Sequence, residues 1–154
     1  MSKLSTALAV LAFCAVPLTA QAGFVVEGSV GKGLTVDPLD DTATNIMIAP
    51  GYGLGEILRL ELGFAFNLPD VGDFDLELRP MLVLDPPLFP VYGRLILGVT
   101  GLLSDVVIAY GGALGVGGSL FGIGAFAEVG VLPRSVADTM FWVIEGRLGV
   151  YYAF

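Results

Sequence analysis

The sequence is poor in the residues that most often carry covalent or redox chemistry. It contains no histidine, and its one cysteine, Cys14, lies in the N-terminal segment. A disulfide framework is therefore excluded for the rest of the chain. Basic residues are also scarce, because seven Lys/Arg stand against fifteen Asp/Glu. This acidic balance argues against a nucleic-acid-binding protein.

A long apolar helix is also missing, although the composition is strongly hydrophobic. Apolar residues make up 55% of the chain, and 22 positions are glycine. After residue 23, charges recur too often for the roughly 20 consecutive apolar residues that a spanning helix needs, and glycine disfavours helix interiors. A membrane-spanning protein without helices must be a closed β-barrel, because lipid offers no partners to backbone N–H and C=O groups.

The first 22 residues have the pattern of a cleavable secretory signal peptide. Lys3 supplies a positive charge, the run from Leu8 to Leu18 is apolar, and Ala20 and Ala22 form a small-residue cleavage pattern. An uncleaved membrane anchor is the alternative, and the cleavage pattern argues against it. We predict a signal peptide at 1–22 and one domain at 23–154, whose 132 residues carry a net charge of −9.

The remaining sequence alternates with a period of two between apolar residues and polar or small ones. In LRLELGFAF (58–66), leucine and phenylalanine occupy the even positions, whereas Arg59, Glu61, Gly63 and Ala65 occupy the odd ones. Such alternation is typical of barrel strands with one face toward lipid and the other toward the lumen. Eight strands are predicted, over residues 23–36, 44–54, 57–67, 74–85, 89–101, 106–117, 122–132 and 139–154.

Three residues do not fit this alternation cleanly. The alternation places Lys32 on the lipid side. A β-bulge at Gly31 or Gly33 would accommodate it, and so would snorkelling of the lysine to the membrane interface. Pro50 and Pro80 lie inside strands, and each predicts a bulge or a local break because proline cannot donate to the ladder. The predicted fold is all-β, an eight-stranded antiparallel up-and-down transmembrane β-barrel with both termini on one side.

The C-terminal stretch RLGVYYAF resembles the insertion signal on the last strand of bacterial outer-membrane barrels. Arg147, Gly149, Tyr152 and Phe154 occupy the positions of that signal. With the signal peptide and the eight strands, the sequence resembles small outer-membrane barrels of the OmpX and OmpA-membrane-domain type. The resemblance implies a place in the outer membrane, a monomer in contact with outer-membrane lipid and lipopolysaccharide, and recognition by the barrel assembly machinery during biogenesis.

Ten charged residues are predicted on the lumen face. An eight-stranded barrel is only wide enough for side chains to fill it. Because unpaired charges there are costly, we expect salt bridges around the arginines, with Asp75 and Glu77 as partners of Arg79 and Arg94. A static plug is the favoured interpretation, and a narrow ion or small-solute channel is the alternative. The predicted network comprises Glu27, Arg59, Glu61, Asp75, Glu77, Arg79, Arg94, Glu128, Glu145 and Arg147.

No catalytic constellation is visible. Outer-membrane barrel enzymes that act on lipid A or phospholipids resemble each other in using a histidine with a serine or an acid, and this chain has no histidine. Asp37, Asp40 and Asp41 lack the ligand spacing of a calcium loop. A soluble lipocalin-like barrel would carry its apolar residues inside. We therefore expect neither an enzyme nor a cofactor or metal site.

Overall fold

The computed structural model describes residues 23–36, 39–55, 57–68, 75–86, 90–100, 106–136 and 139–154. The predicted signal peptide (1–22), the connection at 102–105 and most of the connection at 67–73 lie outside these residues. Within the described ranges there is no helix long and apolar enough to cross a membrane. Below, the terminal end of the molecule is the end that holds Gly23 and Phe154, and the far end is the opposite one.

The described residues form nine β-strands, each antiparallel to its neighbours in one sheet. Eight of them make a closed wall, because β9 pairs with β1, and the short β2 extends β3. The predicted eight-stranded antiparallel up-and-down barrel is confirmed. The strands are β1 (Phe24–Val36), β2 (Leu39–Asp41), β3 (Thr44–Leu54), β4 (Leu58–Leu68), β5 (Asp75–Leu84), β6 (Val91–Thr100), β7 (Val107–Leu120), β8 (Ile123–Val136) and β9 (Thr139–Ala153).

The two faces of the wall differ as the alternation predicts. Leucines predicted to point outward, such as Leu95 and Leu114, are exposed, whereas residues predicted to face the lumen, such as Glu61 and Arg94, are buried. This facing is the reverse of that in a soluble barrel. Between the buried charges, the lumen also contains an apolar cluster of Met47, Ala49, Ala65, Met81, Ile96, Ala113 and Leu132.

The register fixes how far the strands tilt and how wide the lumen is. From Phe24, the row of paired neighbours runs through Tyr52, Leu60, Leu82, Leu95, Gly112, Val131 and Ile144 and returns to β1 at Leu34. One turn around the wall therefore climbs ten residues along β1, from Phe24 to Leu34. This offset of ten residues is the shear of the barrel. In an eight-stranded barrel with this shear, the strands tilt by about 40° from the barrel axis and the backbone lies at a radius of about 8 Å. Side chains alone fill a space of that size.

A β-bulge separates β2 from β3. Three residue steps lead from Gly31 to Leu34 in β1, whereas four steps separate their partners Asn45 and Asp41. The extra residue lies at Thr42, on the strand opposite β1. A one-residue insertion of this kind reverses the facing of all residues beyond it.

The bulge explains how the barrel accommodates Lys32. The backbone N–H of Thr42 donates to the carbonyl of Gly33 (2.9 Å), and the N–H of Gly33 donates to the Thr42 hydroxyl (2.9 Å). The reversal brings Asp41 to the outer side, where its carboxylate lies 2.8 Å from the Lys32 ammonium. Lys32 thus keeps its outward position, and the bulge lies in the partner strand rather than in β1.

Proline interrupts three boundaries between neighbouring strands. Pro50, Pro80 and Pro133 each pair with one neighbouring strand and lack pairing with the other, and pairing resumes beyond them in the same register. The local breaks predicted at Pro50 and Pro80 are confirmed, and neither proline carries a bulge. The missing pairs are Ala49–Gly63, Pro50–Leu62, Arg79–Gly98, Pro80–Leu97, Tyr110–Pro133 and Gly111–Leu132.

Two strands, β7 and β8, extend further than predicted. β7 continues to Leu120 and β8 to Val136, although their predicted ends were 117 and 132. Phe121 (φ 54°) and Gly122 (φ 81°) form a two-residue turn with both residues in the left-handed region. Such a turn matches the twist of the two strands and lets them pair up to the turn itself. The predicted strand ends rested on glycine and proline residues that indicated turns. In the structure, the two strands are still paired with each other at these residues.

Candidate functional site

Nine of the ten predicted lumen residues meet in one connected set of ion pairs. Lumen-facing strand positions bring them there, and the close curvature of the wall puts side chains from opposite strands within reach of each other. The exception is Asp75, the first residue of β5, which is half-buried and forms no ion pair with any residue that the structure describes. The set, hereafter the lumen network, consists of Arg59, Arg79, Arg94, Arg147, Glu27, Glu61, Glu77, Asp85, Glu128 and Glu145.

Arg94 of β6 lies at the centre of the lumen network. Its two terminal nitrogens bind the two oxygens of Glu27 at 3.2 and 2.6 Å. The Arg94 Nε lies 3.4 Å from Glu128, and its Nη2 lies 3.6 Å from Glu61. The guanidinium also lies 5.4 Å from the centre of the Phe126 ring. A single cation therefore compensates three buried carboxylates.

Arg79 of β5 is the most deeply buried cation of the lumen network. It makes a bidentate pair with Glu145 (2.7 and 3.1 Å), and its Nε binds Glu77 at 2.9 Å. Glu77 is therefore a partner that the sequence analysis expected for Arg79, whereas the second partner is Glu145 rather than Asp75. The two carboxylates together bind Nε and both terminal nitrogens of the buried guanidinium.

Arg147 of β9 joins these two centres. Its Nε lies 3.4 Å from Glu128, and its Nη2 binds Glu145 and also the side-chain oxygen of Asn45 (3.1 Å). The remaining terminal nitrogen donates to the Ser29 hydroxyl at 3.3 Å. The alternation of charges is thus continuous across the lumen through Glu128, Arg147 and Glu145.

Arg59 holds the terminal end of the lumen network. Its Nε binds Glu61, and its Nη1 lies 3.3 Å from Asp85. The Asp85 side chain is 40% exposed, in contrast to the buried carboxylates deeper in the lumen. The Arg59 guanidinium also lies 5.5 Å from the centre of the Tyr151 ring. Water therefore reaches the network at this end.

Opposite charges alternate along the whole network. From the terminal end the order is Asp85, Arg59, Glu61, Arg94, Glu128, Arg147, Glu145, Arg79 and Glu77, and Glu27 branches from Arg94. Six carboxylates stand against four guanidiniums, so the ionised network carries a net charge of −2. Each charged side chain of this network is thus bound to at least one of opposite charge.

Small lumen residues make room for the large ones. A side chain on Gly98 would overlap the carboxylate of Glu77, and one on Gly115 would overlap the ring of Tyr92. The Tyr92 hydroxyl donates to Glu128 at 2.8 Å, so the ring both fills space and completes the network. Glycine at these positions is required for close approach rather than for an unusual backbone angle.

The residues of the predicted assembly signal are divided between the two faces of β9. Arg147 is in the lumen network, and Gly149 leaves space for the Phe126 ring. Tyr152 and Phe154 are exposed on the outer face, with ring centres 4.6 Å apart. The structure gives these four residues local contacts, and their recognition by an assembly machinery stays a prediction.

Several members of the site could not be read from the sequence. Asp85 follows β5 in a DPP turn, where an acid reads as part of a solvated connection. Asn45 and Ser29 are uncharged, so the only sequence signal for their place in the site is the alternation, which puts both on the lumen face. Asp75 lies at a lumen-facing position of its strand, but at the strand end, and it forms no ion pair with the four arginines of the lumen network. The odd or even position of a residue in its strand identifies the face of the wall on which it lies. Its depth in the lumen depends on the shear, which is the offset that accumulates between neighbouring strands around the barrel.

Solved structures show what the architecture resembles. Neisserial surface protein A (NspA) superposes with a TM-score of 0.59 at 13% identity, over 86% of this chain and 97% of that one. The N-terminal barrel domain of Pseudomonas aeruginosa OprF gives 0.55 at 16% identity, over 87% and 100%. A de novo designed transmembrane β-barrel gives 0.52 at 13% identity, over 84% and 95%.

These likenesses confirm the predicted resemblance to small outer-membrane barrels at the level of the fold. A designed protein among them shows that identities this low reflect shared architecture. No protein-family model matches the sequence, and no curated protein matches it. The narrower resemblance to the OmpX and OmpA-membrane-domain type stays a prediction.

Proposed function

We propose that this protein is an integral outer-membrane β-barrel with a charge-plugged lumen and a structural or surface role. The observation that carries the proposal is the unbroken alternation of ion pairs from Asp85 to Glu77. Because each buried charge depends on its neighbours, the network holds the wall from inside and leaves no free ionic path.

The outer face supports the proposed location in a membrane. Exposed leucine, valine and isoleucine side chains cover it between the two ends. Aromatic residues gather at the terminal end, where the rings of Phe24 and Phe154 lie 5.8 Å apart, and Trp142 is exposed toward the far end. Two aromatic girdles around an apolar band are typical of membrane barrels. We propose that the terminal end is periplasmic.

The partners we propose follow from this location. Outer-membrane lipid and lipopolysaccharide would cover the apolar band, and the barrel assembly machinery would act during biogenesis. A monomer is proposed because every wall strand pairs on both sides, which leaves no long free edge for a second copy. The protein is proposed to be non-enzymatic, since the lumen charges bind one another rather than converging on an open site.

The alternative function is a narrow channel for ions or small solutes. The net negative charge of the lumen network favours it, because a ring of excess carboxylates would select cations if the pairs rearranged. In that case the same arginines would act as the barrier rather than as a permanent plug.

Conductance across a planar bilayer distinguishes the two functions. The plug predicts that refolded mature protein gives no steady single-channel current, and that Arg94→Ala produces a cation-selective current because three carboxylates lose their cation. Leu97→Ala, on the outer face of the same strand, serves as the matched control and should stay silent. Steady conductance of the unaltered protein would establish the channel instead, and Arg94→Ala would then increase a current that is already present.

Deletion of Phe154 tests the proposed assembly signal separately. We expect export from the cytoplasm to continue while the amount of heat-modifiable, membrane-inserted protein falls. Deletion variants are compared with Phe24→Ala, which removes the neighbouring ring without altering the C-terminus. Normal membrane levels after deletion of Phe154 would show that the terminal phenylalanine is not read during assembly.

A further inference from the structure

A groove of about 690 Å³, hereafter the outer groove, crosses the outer face of five neighbouring strands, β1, β9, β8, β7 and β6. Two rows of outward residues that the strand register pairs form its walls. The first row runs from Val30 of β1 to Val91 of β6, and the second runs from Lys32 of β1 to Leu114 of β7. Because neighbouring strands lie about 4.8 Å apart, the groove is roughly 19 Å long. It is therefore long and narrow, as a site for an extended chain would be.

Small residues give the outer groove its depth. Gly146 of β9 and Ala127 of β8 lie between larger outward side chains, including Leu114 and Leu148, which are 71% and 62% exposed. A Cβ on Gly146 would meet nothing closer than the carbonyl oxygen of Lys32, at 3.9 Å. The wall therefore leaves room above this glycine for a ligand that contacts the neighbouring leucines.

One end of the outer groove is polar. Lys32 of β1 and Thr44 of β3 lie there. The Lys32 ammonium lies 2.8 Å from the Asp41 carboxylate, and because the lysine side chain is 51% exposed, a second anionic group can reach it. Lys32 is also the only cation on the outer face among the residues whose side chains the structure describes. An anionic group bound on this face therefore has its counter-charge at this end of the groove.

The polar end of the outer groove lies near the boundary of the apolar band. Along β1, Lys32 is eight residues beyond Phe24. In strands tilted by about 40°, this separation corresponds to roughly 20 Å along the barrel axis, and the apolar band of a membrane barrel is about 25 Å tall. Rows of paired residues descend from β1 through β9 toward the terminal end. The groove therefore leads from the level of the lipid headgroups into the hydrocarbon.

We propose that the outer groove binds one acyl chain of a lipopolysaccharide molecule whose phosphate group is bound by Lys32. The Thr44 hydroxyl can donate a hydrogen bond to the same phosphate, whereas Asp41 competes with the phosphate for Lys32. The inference rests on the proposed function, because a periplasmic terminal end places Lys32 in the outer leaflet, where lipopolysaccharide lies. It is independent of whether the lumen conducts ions.

Native mass spectrometry of the refolded mature protein in dodecyl maltoside, with added lipid A, tests the polar end. Lipid A carries the phosphates and the acyl chains of lipopolysaccharide. Lys32→Ala should weaken its binding about fivefold, the effect of one cation at an anionic lipid surface, and Lys32→Arg should retain most of the affinity. Asp41→Asn should strengthen the binding, because the competing carboxylate is lost. Opposite effects at Lys32 and Asp41 distinguish a phosphate site from a purely structural ion pair.

Substitutions that fill the outer groove test the acyl-chain site. Gly146→Leu fills it from β9 and Ala127→Leu fills it from β8, and each should weaken lipid A binding about tenfold because the acyl chain is no longer buried. Gly28→Leu is the matched control, because Gly28 lies on the outer face away from the groove and an added Cβ meets no atom within 4 Å. With lipid A whose phosphates have been removed, Lys32→Ala should have no effect, whereas Gly146→Leu should keep its effect.

Three results would overturn the inference. The first is an affinity for lipid A that neither Lys32→Ala nor Gly146→Leu changes. The second is an equal loss in Gly28→Leu and Gly146→Leu, which would mean that lipid covers the outer face without preference for the groove. The third is phosphatidylglycerol bound as tightly as lipid A with the same response to the variants, which would assign the site to phospholipid. Failure of the proposed function would be seen separately, as an absence of the protein from outer-membrane fractions.

Discussion

The centre and the terminal end of the lumen contain the same kind of ion pair in different surroundings. Arg79 and Arg94 have side chains that are 1% exposed, and their carboxylate partners are equally enclosed. Arg59 is 12% exposed and binds Asp85, which is 40% exposed. Loss of a partner leaves an unsolvated charge at the centre, whereas water can replace the partner at the end. Ion pairs of the same chemical kind therefore contribute unequally to stability in the two regions.

Arg94→Ala tests the centre and should have the largest effect. The change leaves Glu27, Glu61 and Glu128 without their shared cation, which should lower the free energy of unfolding by about 3–5 kcal/mol. Denaturant titration in lipid vesicles, followed by the fluorescence of the single tryptophan, measures this. The variant should still form a barrel, because the ladder hydrogen bonds do not involve this side chain. A loss below about 1 kcal/mol would mean that the centre is not sealed.

Leu114→Arg places a similar charge on the opposite face of the wall. Leu114 is 71% exposed at mid-strand in β7, so an arginine there should cost about 2–4 kcal/mol if that face meets hydrocarbon. The same titration measures it, with Leu114→Ala as the control for lost side-chain area. An arginine tolerated as well as alanine would place this face in water.

Arg59→Ala should have an intermediate effect. The side chain binds Glu61 and Asp85, but the end of the lumen admits water, so we expect a loss of about 1–2 kcal/mol. Comparison with Arg94→Ala in the same titration gives the difference between the two regions directly. If both substitutions cost the same, depth in the lumen does not control the strength of the pairs.

Lys32→Ala should have the smallest effect. The Lys32–Asp41 pair lies on the outer side with both side chains more than half exposed, and such pairs contribute below about 1 kcal/mol. Asp41→Asn serves as the matched change on the partner. A cost for Lys32→Ala approaching that of Arg94→Ala would indicate that the bulge depends on this pair for its formation.

Much of the fold could be predicted because period-two alternation determines the face of each residue. Arg59 and Glu61 lie on the lumen face beside outward leucines, as the alternation requires. The pairing of Arg79 with Glu145 could not be predicted, since it depends on the shear and on which strands face each other. The bulge at Thr42 could not be predicted either, because its signal is a register shift between two strands rather than a residue type.

Turn chemistry was the least reliable signal. Glycines at 117 and 118 suggested an early end of β7, but a turn at Phe121 and Gly122 lets the strand continue. Pro133 suggested a loop and instead lies within β8, where it gives up pairing with one neighbour only. In a tilted barrel, small and rigid residues serve the packing of the lumen and the curvature of the wall as well as its turns.

Pairing between β1 and β9 has consequences for the order of events in synthesis. Val25 pairs with Ala153, and the N–H of Phe154 donates to the carbonyl of Phe24 at 2.9 Å. The wall cannot close until the ribosome has made the last of these residues, and contacts so distant along the chain form slowly. Until then β1 is an unpaired edge on an apolar sheet, the kind of surface that aggregates. A nascent or truncated chain would therefore depend on chaperones for as long as β9 is missing.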